Sequence, residues 1–182
     1  MAKCALDLRQ AHRLLSPGPV TLLSSQYRGQ PNLMAVAWAA PVSLDPPLVG
    51  VAIHPSRLSH EFVSKAEQFA LNVPHLELIA VTHHCGLVSG RDGDKFISSG
   101  LTPAPATAID PPLVAECIGH LECGVIDRVR LGDHDFFIGQ VLALAVEEES
   151  FDGFWRTDEE AGQTLHHLGA NNYAALAKRY RT

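Results

Sequence analysis

Three consecutive pieces decide the reading of this chain: Asn32-Leu-Met-Ala-Val-Ala-Trp38, then Pro46-Pro-Leu-Val-Gly-Val-Ala-Ile-His54, then Pro55-Ser-Arg-Leu-Ser-His60. They read as two strands followed by a short polar turn that opens a helix. The first strand is apolar, yet it begins on a polar Asn32 and ends on the indole of Trp38. In the second, Val49, Val51 and Ile53 recur at period two, the spacing of one strand face. The turn places one cation and two hydroxyls, Arg57, Ser56 and Ser59, at a helix N-terminus.

Toward the N-terminus, residues 5–15 carry Leu6, Leu8, Leu14 and Leu15 without Pro or Gly and predict a short helix, which Ser16-Pro-Gly-Pro19 stops. Residues 20–26 predict a strand, and Arg28-Gly29-Gln30 a turn into the strand at Asn32. Asp45-Pro-Pro47 is a rigid bend. Toward the C-terminus, a helix is expected from Ser59 or His60, with Leu58, Phe62 and Ala66 at helical spacing. A strand at 69–73, a helix at 76–84, a polar loop at 89–94 and a short helix from Lys95 follow. Residues 102–112 hold four prolines and read as an irregular connection.

The strongest β signal lies at 113–131 and 136–148, two long strands joined by Gly132-Asp133-His134-Asp135. Phe136, Ile138, Leu142, Leu144 and Val146 share one face. Residues 172–180 are expected to form an amphipathic helix ending in Lys178, Arg179 and Arg181, charges suited to a helix C-terminus. The expectation is therefore one domain over 1–182, mainly β with short helices. Six or more strands with Pro/Gly turns suggest a small barrel, since closure removes exposed edges.

The 182 residues suffice for a core without staples. A formal net charge of −6 argues against a nucleic-acid partner, because phosphate backbones call for a basic face. No apolar run approaches the ~20 residues of a membrane helix. The N-terminus is charged where a secretory signal is apolar. Cys4, Cys85, Cys117 and Cys123 form no CxxC. Read on one strand, Cys117 and Cys123 would lie roughly 20 Å apart, against the ~7 Å that a disulfide allows. A reduced, cytoplasmic protein is the simplest expectation.

Four groups of residues could carry chemistry. A helix N-terminus offers unpaired N–H groups and a partial positive charge, and Arg57 could add a bidentate contact to a phosphate. Taken alone, an ordinary helix start with Ser59 as cap and Arg57 in solvent is the commoner case. Ser89-Gly-Arg-Asp-Gly-Asp-Lys-Phe96 has two bending glycines and two cations but lacks the ligand pattern of a calcium loop. His134 sits in a tight connection. The pairs His83-His84 and His166-His167 lack the i, i+4 spacing of a zinc hydrolase, so no metal is expected. Cys85, beside His84, is the one thiol with an activating neighbour. An apolar strand edge next to an anion site suits a ligand with a flat ring and a phosphate, and flavin mononucleotide (FMN) answers that description.

In order and spacing these segments resemble the flavin reductase-like family, which includes flavoredoxins and the reductase components of two-component monooxygenases. The carriers are Asn32 to Trp38, Ser43-Leu-Asp-Pro-Pro47, Arg57-Leu-Ser59, Ser89 to Phe96, Glu116-Cys117, Leu121-Glu-Cys123, Gly132-Asp-His134, Gly139 and His167-Leu-Gly-Ala-Asn-Asn-Tyr173. The resemblance implies an FMN-binding split β-barrel that forms a homodimer with the flavin near the interface. It implies that Asn32, Met34, Ala35, Val36, Ala37 and Trp38 line the ring and ribityl chain, and that Arg57, Leu58 and Ser59 hold the phosphate. It carries over Ser43 and Tyr173 as further contacts. Ser89, Gly90, Arg91 and Lys95 would close over the cofactor, and His134 would stand where a nicotinamide stacks. Many relatives have Thr-x-Ser before the Trp; here Ala35-Val36-Ala37 removes those hydroxyls.

The implied activity is NAD(P)H-dependent reduction of FMN, with FAD as the alternative flavin, and a monooxygenase or other redox protein as partner. The competing expectations are a flavoredoxin-type electron carrier and a non-catalytic split-barrel binding protein that has lost flavin or exchanged it for haem.

Overall fold

The computed structural model describes residues 18–180; the helix expected at 5–15 and Cys4 lie outside them. Among the described residues there are twelve strands: β1 (Gly18–Pro19), β2 (Thr21–Tyr27), β3 (Gln30–Val36), β4 (Ala39–Leu44), β5 (Pro47–Ile53), β6 (Gln68–Val73), β7 (Pro103–Ala104), β8 (Leu113–Val114), β9 (Gly119–Leu131), β10 (His134–Val146), β11 (Leu165–Gly169) and β12 (Asn172–Ala175). Three α-helices join them: α1 (Leu58–Ala66), α2 (Ile79–Leu87) and α3 (Lys95–Ser99).

Seven strands make one antiparallel sheet in the order β3-β2-β6-β9-β10-β5-β4. The two edges, β3 and β4, are consecutive in sequence and only Ala37 and Trp38 separate them. Laid flat, six inter-strand gaps would set the edges roughly 29 Å apart. Three residue steps from Val36 to Ala39 reach at most about 11 Å. The sheet must therefore curl until its edges meet at one end. The result is a barrel split along one seam, with Trp38 at the crossing.

Inside the barrel, Leu23, Val36, Val51, Ile53, Val63, Phe69 and Phe137 form the core. A second cluster, with Leu22, Leu33, Cys85, Phe96, Val114 and Cys117, fills the space between the outer face of β2–β3 and helices α2 and α3. That explains why β2 shows no alternation: Leu22 serves one layer and Leu23 the other, as in strands buried on both faces. α1 buries Leu58, Ser59, Phe62 and Val63 and turns its Glu61–Lys65 pair (2.7 Å) outward. Asn72 ties the layers together. Its Nδ2 donates to Leu22 O (2.8 Å) and Ser24 Oγ (3.2 Å), and its Oδ1 accepts from Val114 N (3.0 Å) and His120 Nδ1 (2.9 Å).

Three points differ from the expectations. β4 was not foreseen: its Ala-Ala-Pro-Val-Ser-Leu has weak strand character, and pairing with β5 across the Asp45–Pro46 bend creates it. The expected strand 113–131 is two pieces, and Cys117 lies in the turn between them, so it never shared a strand with Cys123. The expected helix at 172–180 is instead the short strand β12 (Asn172–Ala175), which folds back on β11 through Gly169 (φ 117°) and Ala170 (φ 51°), followed by an irregular stretch at 176–180. Arg179 there pairs with Asp152 at 3.0 Å. The apolar series on β10 does share one face, and that face is the outer one: Asp135, Phe137 and Gly139 point inward, whereas Leu142 and Leu144 are exposed. Among the described residues Cys85, Cys117 and Cys123 are free and buried, and burial pushes their thiols up, Cys123 to about 12.

The proline-rich segment 102–112 is clasped by Glu122. Its carboxylate is buried and accepts from Thr107 N, Thr107 Oγ1 and Ala108 N at 2.6–3.1 Å. Burial opposes its ionisation, but these bonds outweigh burial and hold the carboxyl below the usual range. Stability from this clasp is present above the unfolded glutamate pKa and is lost as pH falls through the lower folded value. Glu122→Gln is expected to cost about 1–3 kcal/mol at pH 7 and to flatten the acid limb of a thermal-melting profile. An unchanged acid limb would contradict this role.

Candidate functional site

A cleft of about 830 Å³ opens along the seam. Its floor is the run from Met34 to Ala40, crossing from one edge of the barrel to the other. Ala52, Ile53 and His54 of the β5 end face it, with His134 and Phe136 from β10. Phe136 lies flat across β5: a Cβ on Gly50 would stand 2.0 Å from its ring, so only glycine fits beneath it. Around Trp38, which is half exposed, the rings crowd. Trp38 and His134 are 4.9 Å apart between centroids, and His54 meets His134 edge-on at 5.3 Å.

Local bonds fix the tautomers. Asp133 Oδ1 lies 2.8 Å from His134 Nδ1. The hydrogen bond from His134 holds the Asp133 carboxyl below its usual range, so it is an acceptor and the imidazole proton sits on Nδ1. Ser56 N donates to His54 Nδ1 (3.2 Å), which leaves the His54 proton on Nε2.

The other end of the cleft carries Arg57. It occupies the N-cap position of α1 in extended conformation (φ −77°, ψ 139°) and offers no side-chain cap. Ser59, expected as the cap, is instead the second helical residue. It is buried, and its Oγ accepts from Asn32 Nδ2 at 2.7 Å. Among the described residues no acceptor meets the amides of Leu58 and Ser59, and no ion pair holds the Arg57 guanidinium. Behind them Asn32 Oδ1 is buried without a hydrogen bond. Gly90 presses on it so closely that a Cβ would come within 2.0 Å. Lys95 is also buried and donates to Cys85 O at 2.9 Å. Burial pushes its ammonium below the lysine range; Cys85 opposes that, and Arg57 adds to it. The two cations are thus close enough for Arg57 to disfavour the Lys95 charge.

A smaller recess of about 300 Å³ adjoins the cleft and shares Ala35, Ala37, His167 and Ala170 with it.

Residues 13–163 match the flavin reductase like domain. The chain belongs to that family. It is 32% identical over 179 residues to the protein YddH of Escherichia coli K12, covering 96% of this chain and 95% of that one. It is 28% identical over 145 residues to the NADH-dependent flavin reductase StyB of Pseudomonas fluorescens, covering 77% and 78%. In three dimensions it is similar to the flavoredoxin of Methanosarcina acetivorans, with TM-score 0.87 and 27% identity over 100% of this chain and 95% of that one.

Of the residues singled out from the flavin reductase-like pattern, Met34, Ala35, Val36, Ala37, Trp38, Arg57 and His134 come together in the cleft. Asn32, Leu58, Ser59 and Gly90 form a buried layer next to Arg57. Four do not meet the cleft. Lys95 is buried and donates to Cys85 O instead of closing over it. Ser43 lies beyond a register shift in β4. Ser89 bonds its own loop, accepting from Arg91 N at 3.2 Å. Arg91 is drawn to Glu61 (3.2 Å) on the exposed side of α1. Tyr173 lines the adjoining recess. His54, Phe136 and His167 were missed. His54 ends a clear strand, and its position next to the polar turn was the available signal. Cys85 has no activating histidine; its thiol is packed in the second core.

Proposed function

We propose that this chain binds FMN in the seam cleft and acts as an NAD(P)H-dependent flavin reductase. The observation that carries the reading is one continuous cleft, with an apolar strand floor and stacked rings at one end and an unpaired guanidinium beside free helix amides at the other. The residues fit the group. The orphaned Asn32 Oδ1 and the glycine at position 90 leave a polar, tightly walled corner beside Arg57. Ala35 and Ala37 bring no hydroxyl, but the open edge of β3 presents backbone N–H and C=O groups. FAD remains the alternative flavin.

Bound flavin supplies hydride and electron transfer, and the protein supplies position and electrostatics. Arg57 and the amides of Leu58 and Ser59 hold the phosphate. Trp38 and Phe136 exclude water from the apolar end. Asp133 keeps His134 in one tautomer, which would leave its Nε2 as an acceptor for a bound nicotinamide. The likeness to StyB supports an NADH donor, and the likeness to a flavoredoxin supports a second reading, an electron carrier reduced by another protein. A monooxygenase or similar redox protein is the expected recipient. We also propose a cytoplasmic homodimer, as the resemblance implies; Leu44, Val129, Leu131, Leu142 and Leu144 are exposed on β4, β9 and β10 and are available to an interface. Among the described residues no helix is long and apolar enough to cross a membrane.

The test is an absorbance titration with FMN, followed by NADH and NADPH oxidation with and without added FMN. A bound-flavin spectrum with FMN-dependent turnover is expected. Bound flavin without turnover would move the protein to the carrier reading. No binding of FMN or FAD would overturn both and leave a non-catalytic barrel. Light scattering should give twice the chain mass; a monomer at micromolar concentration would remove the dimer.

A further inference from the structure

One contact ties the two ends of the cleft together from outside it. His60 and Asp135 do not line the cleft. His60 Nε2 lies 2.7 Å from Asp135 Oδ2, and both side chains are largely shielded from water. The hydrogen bond from His60 holds the Asp135 carboxyl below its usual range; burial opposes this, and Arg130 adds to it. Asp135 is therefore the acceptor at neutral pH, and His60 carries a proton on Nε2. The other carboxylate oxygen accepts from Arg130 Nη1 at 3.2 Å. The imidazole also stands edge-on to the core ring of Phe137, with centroids 5.2 Å apart, so packing and bonding agree on its place.

These contacts close a ring through the backbone. Arg57 N donates to His54 O (3.0 Å), and His60 N donates to Arg57 O (3.1 Å). The His60 side chain then reaches Asp135, whose partner across β5 is Ile53, the residue before His54. Asp135 in turn directly follows His134. We infer that the His60–Asp135 contact is a clasp that positions both ends of the cleft, pinning the 54–57 turn with its Arg57 to the start of β10 that carries His134. Groups that bind a ligand must be held within about 0.5 Å by bonded neighbours. Without the clasp, the first turn of α1 loses its side-chain tie to the sheet, and the Leu58 and Ser59 amides lose a fixed direction. His60 and Asp135 are positioning residues, acting through Arg57 and those amides. That the ligand there is FMN rests on the proposed function; the clasp does not.

Amide hydrogen exchange on flavin-free protein reads the clasp alone, and FMN and riboflavin titrations read what it positions. His60→Ala is expected to speed exchange at Arg57 and Glu61 by about tenfold or more, while β6 and β9 stay protected. FMN affinity should fall by about five- to twentyfold, and that of riboflavin, which lacks the phosphate, by less than about twofold. His60→Gln, whose amide can donate at the reach of Nε2, should recover most of both. His60→Asn, polar but too short for Asp135, should behave as His60→Ala does and guards against a loss of fold in that variant. Unchanged exchange at Arg57 and Glu61 would overturn the clasp. So would equal losses for FMN and riboflavin, or exchange rising throughout the sheet, since either marks a contact that only stabilises the barrel. Failure of the unaltered chain to bind FMN, with the exchange results standing, would sink the flavin reading and leave the clasp intact.

Discussion

Arg57→Glu is expected to weaken FMN binding by at least about a hundredfold and to leave the melting temperature unchanged. A charge-assisted, bidentate contact to phosphate is worth about 1.5–3 kcal/mol, and about 1.4 kcal/mol is a factor of ten. Reversal adds repulsion to the loss, at a helix end that already favours anions. The fold should not notice, because the guanidinium is exposed and holds no ion pair among the described residues. Riboflavin, which has the ring but no phosphate, separates the causes. Its affinity should be the same in both proteins, measured by fluorescence quenching. Equal losses for riboflavin and FMN would mean that Arg57 shapes the ring site and does not hold the phosphate.

Asn72→Ala should destabilise the protein by about 3–5 kcal/mol. All four hydrogen-bonding positions of the amide are used, and they reach β2, β8 and His120 of β9. Truncation leaves the Val114 N–H, Ser24 Oγ and His120 Nδ1 without that partner in a dry interior, at about 1–3 kcal/mol for each group left unsatisfied. Partial relaxation brings the sum down. Urea unfolding with an unchanged slope is the measurement. A loss under about 1 kcal/mol would show that water or repacking replaces the amide.

The two stretches that fix the site were readable because local rules and tertiary structure agree there. Val49, Val51 and Ile53 alternate, and they line the barrel core. Leu58, Phe62 and Val63 recur at helical spacing, and they dock α1. Where the two disagree, the sequence misleads. Ala174-Ala-Leu-Ala-Lys178 has helix-forming composition, but the tight turn at Gly169–Ala170 offers Ala174 and Ala175 a strand partner first. Ser59 looks like a cap by composition, yet Asn32, 27 residues earlier, claims its hydroxyl. Arg91 carries the charge expected of a ligand contact, but Glu61 lies closer. Long-range partners of this kind leave no local signature. Glu122 is the same case: nothing near it in sequence predicts that it would grip a loop some fifteen residues upstream.

The seam has a consequence for the protein without its ligand. Among the described residues β3 bonds only to β2 and β4 only to β5, so each edge strand keeps a row of backbone groups that no described strand claims. The molecule is a barrel one strand short. A flat heterocycle with donors and acceptors on its rim could stand along that open edge, and a flavin bound there would be a structural member as well as a reagent. At a hundred times its dissociation constant, such a ligand adds about 2.7 kcal/mol of stability. The empty protein, with two bare edges, is the form most open to pairing with other chains. Supply of flavin during synthesis would then govern how much of the chain survives to fold, quite apart from how much of it turns over.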